Sequence, residues 1–129
     1  MDKAKKQRVP FSLPTLNMPW METNGTDVVR TIYFPNGQPM DRIHGYMDDF
    51  GDFIKHGSWE TWTKSGTREL YGHFENDVLD GARFEWNHAG KLSSISVYNH
   101  GDLIEYHREN LESHPEFKTA QRLASSKTP

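Results

Sequence analysis

Gly57-Ser58-Trp59-Glu60-Thr61-Trp62-Thr63-Lys64-Ser65-Gly66 is answered 24 residues later by Gly81-Ala82-Arg83-Phe84-Glu85-Trp86-Asn87-His88-Ala89-Gly90. Gly57 falls on Gly81, Trp62 on Trp86 and Gly66 on Gly90. The match continues: Tyr71-Gly72-His73-Phe74-Glu75-Asn76-Asp77-Val78-Leu79 aligns with Ile95-Ser96-Val97-Tyr98-Asn99-His100-Gly101-Asp102-Leu103. A weaker copy begins at Tyr33-Phe34-Pro35-Asn36-Gly37 and runs through Ile43-His44-Gly45-Tyr46-Met47. It then carries extra residues around 48–53. A constant offset of this length marks tandem units that bury their apolar faces by stacking on one another.

Each unit holds two short runs separated by turn signals. Asn36-Gly37, Ser65-Gly66, Ala89-Gly90 and His100-Gly101 supply the turns, because glycine accepts positive φ without a Cβ clash. The runs Val28–Phe34, Ser58–Thr63, Arg68–Phe74, Ala82–Trp86 and Leu92–Tyr98 are rich in aromatic and β-branched residues, which favour strands. The expected fold is all-β, an antiparallel meander of about six or seven strands in an elongated twisted sheet. Phe84 and Trp86 share one face of their run, while Ile95 and Val97 oppose Leu92 and Tyr98 on theirs. Rings and aliphatics thus occur on both faces, which suits an open sheet better than a closed barrel, although closure stays open at this point.

The ends read differently, giving three segments. Residues 1–23 hold three prolines and no strand pattern and are expected to form an extended basic arm. Residues 24–107 form the repeat domain. Residues 108–129 form a helix and tail, with Ser113 and Glu116 spaced as a capping box, Pro115 in the first turn, and Phe117, Ala120 and Ala124 on one stripe. That helix is expected to cover the last sheet edge, which would otherwise invite strand pairing.

Composition narrows the function classes. Hydrophobic residues make up 34% of 129 and aromatics 12%, so a few large rings must do much of the burying. No run approaches the roughly 18 apolar residues of a membrane span. The prolines at 10, 14 and 19 break the segment after the basic start, which argues against a signal peptide and for the cytoplasm. With no cysteine, disulfides and thiolate metal sites are excluded. Between residues 9 and 104, seven Lys/Arg stand against thirteen Asp/Glu, a net −6. An acidic body repels phosphate backbones and attracts basic proteins.

The unit Gly-x-x-x-x-Trp-x-x-x-Gly, followed by a strand ending in Phe or Tyr, x and Asn, resembles the MORN repeat in its bacterial variant form. The resemblance covers Gly57 to about Tyr106 well and Val28 to Gly57 weakly. It implies tandem β-hairpins with no cofactor and no catalytic residues. Bacterial members resemble antitoxin or immunity components that bind a toxin, and eukaryotic members are associated with membrane lipids and scaffolding. Asp77 stands where the family usually has glycine after Asn76.

The candidate positions follow. Gly57, Trp59, Trp62, Gly66, Gly81, Phe84, Trp86 and Gly90 are the structural repeat positions. Trp59, Trp62, Tyr71, Phe74, Phe84, Trp86 and Tyr98 read first as the core of a thin sheet; the alternative is an exposed binding strip. Asp48, Asp49 and Asp52 at the break in the repeat, with Glu75, Asp77 and Asp80 at a turn, are the expected surface for a basic partner. Asp48-Asp49-Phe50-Gly51-Asp52 lacks the ligand spacing and flanking helices of a calcium loop. The seven histidines do not recur as a set and are expected to bind no metal. No nucleophile elbow or phosphate loop is present, so no catalytic residue is expected. These readings favour a non-catalytic protein-binding module, in its sharpest form an antitoxin or immunity protein. The alternatives are a phospholipid-surface scaffold acting through the N-terminal arm and a small enzyme of unknown type. Nucleic acid is not an expected partner.

Overall fold

The computed structural model describes residues 21–24 and 27–126. Nine strands form one antiparallel sheet: β1 (Met21–Asn24), β2 (Asp27–Tyr33), β3 (Pro39–Met47), β4 (Phe53–Trp62), β5 (Arg68–Glu75), β6 (Val78–Leu79), β7 (Gly81–Trp86), β8 (Leu92–Asn99) and β9 (Asp102–His107). A 3-10 turn (Leu111–Ser113) and one helix, α1 (Phe117–Ser125), follow. The strand order is that of the sequence, with β6 and β7 both paired to β5. β1 and β9 end the order without meeting, so the sheet is open. The expected meander is therefore present. Met21–Asn24 adds a strand inside the stretch expected to be an arm, and the rest of that arm, residues 1–20, lies outside the described residues.

Two kinds of turn alternate. At one end, Phe34–Gln38, Thr63–Thr67 and Asn87–Lys91 share a five-residue pattern. The first N–H donates to the fifth carbonyl and the fourth N–H, always a glycine's, donates to the first carbonyl. Gly37, Gly66 and Gly90 have φ of 90, 93 and 83°, the left-handed step that closes a three-residue hairpin loop. Register slips fall beside these turns at Ile32/Tyr33, Thr61/Trp62 and Glu85/Trp86, so Tyr33 holds the position that Trp62 and Trp86 fill later. At the other end, Asn76-Asp77 and His100-Gly101 are two-residue turns with both φ positive. In the first copy that turn is replaced by Asp48–Asp52, itself a five-residue turn of the first kind.

Paired residues share a face, so the register sorts the rings. Tyr71 pairs with Phe84, and Phe84 with Ile95. This face carries the main core: Phe84, Trp86, Ile95, Leu111 and Ala120 are buried together, with Tyr71, Phe117 and Leu123 against them. Trp59 pairs with Gly72 on the other face, its ring 5.6 Å from that of Phe74. There Lys55 sits 4.8 Å from the Phe74 ring and Arg30 4.3 Å from the Phe53 ring. Trp62, Phe74, Phe84 and Trp86 are buried, and Trp62 is only 1% exposed, which makes these rings core rather than a binding strip.

The helix departs from expectation in start, stripe and position. It begins at Phe117 with Glu116 before it, and no side chain caps it. Ser113 Oγ instead donates to the Asn110 carbonyl, so the capping box does not form. Phe117, Ala120 and Leu123 face the core, while Ala124 is exposed. The helix lies on the sheet face rather than along the β9 edge, because Arg68 holds its last turn. Arg68 Nε donates to the Leu123 carbonyl at 2.9 Å, Nη2 to Ser126 Oγ at 2.9 Å and Nη1 to Glu60 Oε2 at 2.7 Å. A guanidinium among the final carbonyls complements the negative end of the helix.

Candidate functional site

β9 pairs with β8 on one side and with no described strand on the other. By the repeat offset Leu103 corresponds to Leu79, so β9 is the opening strand of a further unit. That unit is never completed: at Asn110 the backbone enters the left-handed region (φ 55°) and the chain leaves for the 3-10 turn. Among the described residues nothing covers its large apolar side chains: Leu103 is 54%, Ile104 57% and Tyr106 55% exposed. A free strand edge with such side chains is a template for an added strand.

The inner end of this strand carries a cluster. Glu105 Oε1 accepts from His107 Nε2 at 3.1 Å and from His114 Nε2 at 3.0 Å. The two imidazole rings lie 4.9 Å apart. Glu105 and His107 lie two apart on β9, and His114 returns to them from the segment after the 3-10 turn. Glu116 N–H donates to His114 Nδ1 at 3.0 Å, which leaves Nε2 as the nitrogen that donates to Glu105. Hydrogen bonds from His114 and then His107 hold the Glu105 carboxyl below its ordinary value. Glu109 and Glu116 line the same groove.

No family model, curated protein or solved structure matches this chain.

The acids singled out in the sequence do other work. Asp48 Oδ1 accepts from the N–H groups of Phe50 and Asp52, both at 2.9 Å. Asp77 Oδ1 accepts from Lys55 N–H at 2.9 Å, and Asp80 Oδ1 from His100 N–H at 2.8 Å. Asp48 closes its own turn, whereas Asp77 and Asp80 tie separate hairpins together. Glu75 lies 4.0 Å from His56, and Asp49 is exposed. The acids at the broken turn and at the hairpin tip both project from the same end of the sheet, so they add charge there. The histidine cluster escaped the sequence reading because no repeat copies it. Its only trace was Glu105-x-His107, which puts both side chains on one strand face.

Proposed function

We propose that this protein is a non-catalytic, MORN-like binding module that accepts an extended segment of a partner protein along β9. The observation that carries the reading is the unfinished repeat: a strand edge that no described strand pairs, bearing Leu103, Ile104 and Tyr106, each more than half exposed. A partner strand would take the place of the missing next strand, its backbone pairing with β9 and its apolar side chains covering these three. Asp102 and Glu105 flank them, and the sheet region is acidic, so the partner segment alternates basic and apolar residues. Antitoxin or immunity action in the cytoplasm, neutralising a basic protein by occupying it, is the sharpest form of this reading.

The test uses the full chain as bait in lysate of its source. One predominant basic protein should be captured, less at high salt, and Leu103→Lys/Tyr106→Lys should lose it with melting unchanged. Equal capture by the double variant would remove β9 from the reading. Binding only to anionic vesicles, abolished by deleting residues 1–21, would hand the case to the phospholipid-surface alternative.

A further inference from the structure

Among the described residues, Glu105, His107 and His114 are the one set of three potential ligand groups whose donor atoms converge, all within 4.8 Å of one another. We infer that these three side chains form a binding site for a divalent late first-row transition ion, for which zinc is the probe. The donor chemistry sets the class. Two imidazole nitrogens and one carboxylate suit zinc, nickel or copper, whereas calcium and magnesium take oxygen ligands throughout. The other described histidines paired with acids meet one carboxylate each: His56 with Glu75, His88 with Glu69 and His100 with Asp80. Among the described residues, only here do two rings meet the same oxygen.

The geometry is near what an ion needs. Zinc bonds of about 2.0–2.1 Å in a tetrahedron put donor atoms roughly 3.3–3.4 Å apart. Glu105 Oε1 already lies 3.1 and 3.0 Å from the two Nε2 atoms. The remaining adjustment is a rotation of the exposed Glu105 and His107 side chains toward His114, whose side chain is only 11% exposed. Glu109 lines the groove and supplies a further carboxylate within the same pocket. The ion would thus join β9 to the connector that leads into α1.

Coordination also has a proton consequence that an incidental histidine pair lacks. His114 Nε2 now carries the ring proton, because Nδ1 accepts from Glu116 N–H. A metal ion takes the Nε2 lone pair, so the proton must move to Nδ1, and the Glu116 hydrogen bond must break. The ring proton thus passes from Nε2 to Nδ1 of the same ring. Zinc binding should therefore be reported by the Glu116 amide, a backbone group that touches no metal.

The experiment titrates zinc into the tag-free full chain, followed by calorimetry and by amide NMR. The expected result is one ion per chain, a shifted Glu116 amide, and a raised melting temperature. His107→Ala and Glu105→Gln should each weaken binding by roughly tenfold or more, as loss of one of three ligands requires. His88→Ala and His100→Ala should bind as the parent does. If His114→Ala fails to fold, His107→Ala, on the outer strand, still decides. Binding no tighter than millimolar, or unaltered in His107→Ala, would overturn the site.

Discussion

Asp77 and Lys55 bond to each other twice: Asp77 N–H donates to the Lys55 carbonyl at 2.8 Å, and Lys55 N–H donates to Asp77 Oδ1 at 2.9 Å. One repeat on, Gly101 N–H donates to the Leu79 carbonyl at 2.7 Å, so each two-residue tip docks on the strand of the unit before it. Asp77 holds φ of 73°, a conformation that glycine adopts freely and other residues resist. Its carboxylate offsets that strain through Lys55. Asp77→Ala keeps the strain and loses the bond, and should cost about 1–3 kcal/mol in urea unfolding. Asp77→Gly loses the bond but removes the strain, and should cost clearly less. Equal losses would mean that the left-handed backbone at this position stores no strain for glycine to relieve.

The same reasoning applies to charge reversal at the broken turn. Asp48 is half-buried and its Oδ1 holds two backbone N–H groups, so it is not dispensable surface charge. Asp48→Lys should destabilise by about 1–2 kcal/mol, as loss of a capping acceptor does. Asp49→Lys, at an exposed position without that role, should change melting by less than about 0.5 kcal/mol. A neutral Asp48→Lys would show that the turn closes without its carboxylate.

Much of this fold was legible because glycine and tryptophan recur at one spacing. Gly66 and Gly90 close identical turns, and Trp62 and Trp86 fill identical core positions, as their offset implied. Tyr33 was legible as a weaker copy, and its 49% exposure gives the physical reason: the helix covers only the later units. What the sequence hid depends on contacts without a period. Arg68 stands where the next unit has Leu92, so nothing in the pattern announced that it would anchor α1. The false capping box at Ser113 had the right letters, but the chain there is bent by Asn110 into a 3-10 turn. Glu105, His107 and His114 meet only after that bend.

Matched core positions should respond alike. Trp62→Ala and Trp86→Ala should each cost about 3–5 kcal/mol, a large share of a small domain's stability. Tyr33→Ala, at the equivalent but exposed position, should cost under about 1 kcal/mol. Chemical denaturation of the three variants measures the series directly. A Trp62 variant as stable as the parent would contradict its burial.

Arg68 is buried and its partner Glu60 largely so, the side chains 5% and 14% exposed, with the guanidinium 5.3 Å from the centre of the Trp62 ring. Removing one member leaves the other charge in a poorly solvated place. Arg68→Met should therefore cost about 3–5 kcal/mol, and should raise amide exchange in α1, because the Leu123 and Ser126 contacts go with it. Replacing both, as Arg68→Met/Glu60→Gln, should recover part of the stability but none of the helix protection. Full recovery of both would show that α1 is held by its apolar stripe alone.

His44 gives the fold a pH dependence whose sign is fixed. Burial first, and then the charge of Arg42, hold its imidazole below the ordinary value of 6.5, with Glu60 pulling the other way. The unfolded chain therefore takes up the proton at higher pH than the folded chain does. The stabilising contribution is complete above about pH 6.5 and is lost as pH falls through the lower folded value. His44 pairs with Val29 across β2 and β3, and a Cβ on Gly57 would sit 3.0 Å from its own Cβ, so the ring has little room to move outward. His44→Gln keeps a polar side chain and removes the titration. Its melting temperature should fall less than the parent's between pH 7 and pH 5. Glu105 acts in a separate window, since its depressed carboxyl contributes above the usual carboxylate value and loses that contribution only at more acid pH. Parallel melting curves for parent and His44→Gln from pH 7 to 5 would mean that the unfolded and folded chains bind that proton equally.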